Sequence, residues 1–135
     1  DGTFREMGQS AGLASTERGR GAALADFDGD GRLDVLVLNR RAPLEIYRNE
    51  TPDAGHWLAV SLLQPGGNRH AIGASVTVNS DMQRAIIGGG HAGGQAGPLH
   101  FGLGAATQAE ITVAWPSGHI THHKAAANQS VTLTP

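Results

Sequence analysis

Apolar and polar residues alternate through much of this chain. In the segment 57–63, Leu58, Val60 and Leu62 fall on one face. Further on, Ala74, Val76 and Val78 alternate with Ser75, Thr77 and Asn79. A period of two marks half-buried strands, because successive side chains of an extended chain point to opposite faces. The same pattern predicts strands at 99–103, at 111–115, where Ile111, Val113 and Trp115 share a face, at 119–123, and around Val131 and Leu133. Residues 84–87 are expected to pair back as a hairpin across Ser80-Asp81. Trp115-Pro116-Ser117-Gly118 has Pro second and Gly fourth, a turn arrangement. Residues 51–135 therefore read as one antiparallel β-sandwich domain.

Residues 1–50 have a different texture. Short strands are expected at 4–7, 21–26, 33–38 and 44–48, with one helical turn or a loop at 9–14. Thr51-Pro52-Asp53-Ala54-Gly55 reads as the linker to the second unit. The run Leu33-Asp34-Val35-Leu36-Val37-Leu38 is almost continuously apolar and rich in β-branched residues, as a buried strand requires. Three or four strands are too few to cover both faces of a sheet. This half is expected to need a neighbour: the second half, a part upstream, or another copy.

Between two of these strands lies Asp26-Phe27-Asp28-Gly29-Asp30-Gly31-Arg32-Leu33-Asp34. Numbered from Asp26, its carboxylates stand at positions 1, 3, 5 and 9 and a glycine at position 6. Crowded carboxylates repel one another unless a positive charge sits among them. Calcium takes roughly six to eight oxygens, and alternating Asp side chains plus a backbone carbonyl supply them. Asp26, Asp28, Asp30 and Asp34 are the expected side-chain ligands, with the Arg32 carbonyl at position 7. An EF-hand would also need a bidentate Glu at position 12. Val37 stands there, inside the apolar run. The loop is thus expected to join strands rather than helices.

Composition narrows the functional classes. The 135 residues suit one domain or little more, with an aliphatic core, since aromatics make up only 4%. The formal net charge is −2 and no basic stripe is present, which argues against nucleic acid and anionic membranes as partners. No apolar run approaches the ~20 residues of a transmembrane helix. With no cysteine, disulfides and thiolate metal sites are excluded. Twenty glycines without a collagen period fit short strands and tight turns. A calcium loop of modest charge points to the millimolar calcium outside cells. The chain opens Asp1-Gly2-Thr3-Phe4 without a Met, as a processed product or a part of something longer would.

The first half resembles the FG-GAP/VCBS-type repeat of integrin-like β-propellers. The residues that carry this are Asp1-Gly2-Thr3-Phe4, Gly21-Ala22-Ala23-Leu24-Ala25-Asp26-Phe27-Asp28-Gly29-Asp30-Gly31, Leu33-Asp34 and Ile46-Tyr47-Arg48-Asn49. The second half resembles the ASPIC/UnbV domain that follows such repeats in secreted proteins. Here the residues are His56-Trp57-Leu58, Asn68-Arg69, Ile72-Gly73-Ala74, Leu99-His100-Phe101-Gly102-Leu103-Gly104, Trp115-Pro116-Ser117-Gly118 and Ala127-Asn128-Gln129. The resemblance implies an all-β protein, a partial propeller-like blade with a calcium loop followed by the sandwich. It also implies a secreted, calcium-binding, non-catalytic role, and assigns Asp26, Asp28, Asp30 and Asp34 as calcium ligands with Arg32 as the carbonyl ligand. A family propeller has several repeats, whereas one is present here. The loop Gly88-Gly89-Gly90-His91-Ala92-Gly93-Gly94-Gln95 lacks the tyrosine and serines expected of the family.

Other constellations are weaker. His119 and His123 would share a strand face while His122 points away, a poor clamp for one ion. His91 lacks the partners of a nucleophilic triad. The glycine-rich stretch 88–97 lacks the Lys-Ser/Thr ending of a phosphate loop and reads as a flexible connection or a partner contact. Asn49-Glu50-Thr51 and Asn128-Gln129-Ser130 fit the glycosylation acceptor pattern at Asn49 and Asn128. The expected function is a secreted structural or adhesive module. Its open sheet edge could take a protein partner or copies of itself, building a fibre. The alternatives are a carbohydrate-binding module using Trp57 or Trp115, a C-terminal fragment of a longer propeller protein, or an accessory to a biosynthetic enzyme.

Overall fold

The computed structural model describes residues 2–89, 94 and 96–135. Among them are ten strands and no helix. The fold is all-β, in three sheets.

The first sheet holds β1 (Gly19–Ala25), β2 (Asp34–Asn39) and β3 (Glu45–Tyr47), antiparallel in the order β1-β2-β3. Ala25 pairs with Asp34, so the acidic loop is the connection of a hairpin. Residues 4–7, expected as a strand, form none, and 8–12 form turns.

Seven strands make the sandwich. They are β4 (His56–Leu62), β5 (Ser75–Val78), β6 (Asp81–Arg84), β7 (Leu99–Gly104), β8 (Gln108–Ala114), β9 (Ile120–Ala126) and β10 (Gln129–Leu133). One sheet runs β10-β4-β7 and the other β6-β5-β8-β9. The predicted apolar faces meet between them, Leu58, Val60 and Leu62 from β4, Val76 and Val78 from β5, and Ile111 and Val113 from β8, and Phe101 from β7 joins them. Trp115 joins this core at 3% exposure.

Two details depart from the sequence pattern. β6 begins at Asp81 and pairs it with Val78, so the hairpin turns on Asn79-Ser80, earlier than expected. Asn79 takes the left-handed conformation (φ 54°) that such tight turns favour. Second, β10 runs parallel to β4, while the other strand pairs are antiparallel. Asn128 sets this parallel register. In the left-handed conformation (φ 59°) it donates its N–H to the Trp57 carbonyl (2.7 Å) and accepts the Trp57 N–H on its side-chain oxygen (3.3 Å).

Candidate metal centre

The loop between β1 and β2 is organised by its own carboxylates. Asp26 closes it: Oδ1 accepts the N–H groups of Gly29 (2.8 Å) and Asp30 (3.1 Å), and Oδ2 accepts that of Gly31 (2.9 Å). Asp34, the first residue of β2, is only 3% exposed. Its Oδ2 accepts the Phe27 N–H (3.1 Å) and its Oδ1 the Asn49 N–H (2.7 Å). The Asn49 N–H is the largest influence on the Asp34 carboxyl and holds it below the usual carboxylate range. Burial opposes this, and the Phe27 N–H and the Arg48 and Arg32 charges reinforce it. A buried carboxylate kept ionised in this way is a ready ligand.

Asp26, Asp28 and Asp34 each present an oxygen, and these oxygens lie within 4.8 Å of one another. Asp30 stands apart from that group. Its Oδ1 accepts the Arg32 N–H (2.9 Å), and its Oδ2 is ion-paired with the Arg32 guanidinium. Arg32 also donates through Nε to the Asn49 carbonyl (2.7 Å). Arg48 lies outside the loop on the chain but reaches it in space, with Nε 2.8 Å from Asp28 Oδ2. Four carboxylates thus face two guanidiniums, which leaves two formal negative charges. An all-oxygen donor set with that excess suits a hard divalent cation.

Asn49, like Arg48, is a member of the site that the acidic spacing did not predict. Besides its N–H to Asp34, its side-chain amide donates to the Leu33 carbonyl (3.1 Å), so it ties the end of β3 to the start of β2. Its side-chain oxygen accepts the Thr51 N–H and hydroxyl (3.1 and 2.6 Å). Asn128 likewise directs its amide nitrogen at His56 Nδ1 (2.9 Å). Both acceptor-pattern asparagines therefore already hold the fold through the atom a glycan would need.

Gly31 connects the loop to the sandwich. Its carbonyl accepts the Nε2–H of His100 on β7 (2.9 Å). A Cβ added to it would fall inside the Trp57 indole, and its φ is +88°, so only glycine fits. Trp57 and His100 stack nearly parallel, with centroids 5.7 Å apart and planes at 9°.

The histidines of the β9 region do not join a metal group among the described residues. His122 Nδ1 contacts the Thr112 hydroxyl (3.1 Å) and His123 Nε2 that of Thr121 (2.9 Å), on opposite faces of the strand. His91 lies outside the described residues, as do Gly90, Ala92, Gly93 and Gln95 of the glycine-rich stretch. Two surface grooves on the sandwich, one beside Leu63, Arg69 and Pro135 and one beside Leu62, Ile72 and Ile87, contain no residue of the acidic loop.

A family model described as ASPIC and UnbV matches residues 64–135, more than half of the chain. The chain belongs to the ASPIC and UnbV family. A second model, the FG-GAP-like repeat, matches residues 1–37 and so includes β1, the acidic loop and the first part of β2. The first sheet is thus a blade element of the propeller type, placed before an ASPIC and UnbV sandwich. Cartilage acidic protein 1 of Mus musculus is 30% identical over 137 residues, covering 96% of this chain and 21% of the mouse protein; that of Homo sapiens gives the same figures. The Xenopus tropicalis protein of that name is 34% identical over 111 residues, covering 76% of this chain and 17% of its own length. This ASPIC and UnbV chain spans about a fifth of the length of the curated relatives it matches.

Proposed function

We propose that this chain is an extracellular, non-catalytic module whose blade loop binds calcium and is stiffened by it. The observation that carries the reading is the convergence of Asp26, Asp28 and buried Asp34 on one point of a hairpin connection. These three would hold the ion through side-chain oxygens, with the Arg32 carbonyl as a backbone ligand. Asp30, engaged with Arg32, shapes the loop. A calcium ion bound there supplies charge neutralisation and a cross-link between β1 and β2, not a reaction. Asp34 is arranged to keep a charge rather than to exchange a proton, since two N–H groups fix its ionised form. The FG-GAP-like match and relatives named for cartilage support an extracellular setting.

The test is thermal melting with EDTA and with excess calcium. Chelation is expected to lower the melting temperature, and calcium to restore it. An unchanged melting temperature across both conditions would sink the calcium reading.

A second element of the proposal concerns the blade's neighbour. Its three strands leave β1 and β3 as edges, and Leu38 and Ile46 on the sheet keep 44% and 59% of their surface exposed. Strand addition or face packing by another blade or another copy would cover them. Growth into a fibre follows if the contact is head-to-tail and does not close. Light scattering that shows monomers alone at all concentrations counts against self-assembly. Carbohydrate binding has less support, because Trp57 is stacked on His100 and Trp115 lies in the core.

A further inference from the structure

We propose that Gly31, Trp57 and His100 form a joint through which cation binding in the blade loop fixes the seating of the sandwich against it. The inference rests on the calcium reading above and extends it to Trp57 and His100, which lie outside the acidic loop.

The joint is continuous in hydrogen bonds and packing. The Gly31 N–H belongs to the loop, where Asp26 Oδ2 holds it at 2.9 Å. Its carbonyl belongs to the junction and accepts from His100 Nε2 at 2.9 Å. One residue therefore links a predicted calcium ligand to a sandwich side chain by two hydrogen bonds. Trp57 fills the space a Cβ would take at Gly31, so the loop cannot slide over the indole without losing its fit.

The sandwich side of the joint is rigidly held. In the β4–β7 register Trp57 lies opposite Gly102 and His100 opposite Ala59, so the two rings sit diagonally on one face, turned away from Leu58 and Phe101. The Trp57 backbone is bonded in both directions by Asn128 (2.7 and 3.3 Å). Gln83 from β6 donates to the His100 carbonyl (2.7 Å), which ties the second sheet of the sandwich to the same point. A loop that exchanges several conformations has only some that present the Gly31 carbonyl to His100. Calcium, by selecting the closed loop, selects the seated junction as well. The coupling is reciprocal: a sandwich that holds the Gly31 peptide in place must favour calcium.

Calcium titration by calorimetry tests this on the whole chain and on Trp57→Leu, His100→Phe and a control, His122→Ala. His100→Phe keeps a ring against Trp57 and removes only the donor. Both junction variants are expected to bind calcium at least about fivefold more weakly, and the control to match the native chain. Equal affinities in all four chains would overturn the joint while leaving the calcium site standing. A native chain that takes up no calcium would overturn both. Hydrogen exchange on the native chain keeps the test decisive if a junction variant fails to fold. Calcium is expected to slow exchange in peptides covering 56–62 and 99–104 as well as 26–34. Protection confined to 26–34 would refute the coupling.

Discussion

In the sandwich, Phe101 and Ile111 are each 1% exposed, whereas in the blade Leu24 and Ile46 keep 46% and 59% of their surface. All these residues lie on strands with similar alternation. Alternation makes a strand, but a core needs a second sheet facing the first. The sandwich supplies its own, and the buried apolar side chains of the described residues run from Leu58 to Trp115 without one from the blade. The blade is held instead by polar work. Asp26 gathers three N–H groups, Asp34 gathers two, and Asn49 ties the ends. The chain thus pairs a unit with an apolar core of its own with one ordered mainly by hydrogen bonds to carboxylates.

The largest test of that contrast is a pair of truncations. Phe101→Ala removes a ring between the two sheets and leaves a cavity, and is expected to cost about 3–5 kcal/mol in urea unfolding. Leu24→Ala, on a half-exposed blade position, is expected to stay within about 0.5 kcal/mol. Comparable losses in the two variants would mean that the blade has a core of its own after all.

Next in size is Asp34→Asn. The substitution keeps the shape but turns a two-acceptor group into one with a donor aimed at a backbone N–H. At so buried a position this is expected to cost about 1–3 kcal/mol. A matching pH effect follows from the lowered Asp34 value. A carboxyl whose folded value lies below the unfolded one of about 4 stabilises fully above that range, and the stabilisation is lost as pH falls through the folded value. Between pH 7 and pH 5 the Asp34 contribution is therefore expected to be flat, with the loss confined to more acid solution. An Asp34→Asn chain as stable as the native one at pH 7 would remove Asp34 from its organising role.

The two regions also differ in how far the sequence revealed them. Inward positions of the sandwich, such as Leu58, Val60, Ile111 and Val113, follow from alternation because period two translates directly into faces. Strand direction does not, and so the parallel β10 came as a departure. The early turn at Asn79 was hidden because its cause is one backbone angle rather than a pattern. The strand expected at residues 4–7 does not form, and of these four residues only Phe4 is a strong strand former. In the loop, the spacing of Asp26, Asp28 and Asp34 pointed to their meeting. Asp30 fits the same spacing, but Arg32 draws its carboxylate aside. Asn49, Trp57 and His100 reach the loop from distant segments, and no local pattern records a contact such as that of Gly31 with a residue 69 positions on.

Arg48 offers the smallest and most specific way to sharpen the contrast. Its guanidinium sits 2.8 Å from Asp28 Oδ2, yet its side chain is 61% exposed, so the pair contributes little to stability. The same charge opposes a cation a few ångströms away. Arg48→Gln should therefore leave the unfolding midpoint in EDTA almost unchanged while tightening calcium binding about threefold to tenfold at low salt. The gain should shrink as ionic strength rises, because an exposed charge is screened over about 10 Å at 0.1 M salt. Arg32→Gln makes the opposite case. Arg32 bridges Asp30 to the Asn49 carbonyl, and its loss is expected to loosen the loop and weaken binding despite removing the same charge. If both substitutions shift affinity in the same direction, the two arginines act only as charge, and the blade's polar framework does less than its hydrogen bonds imply.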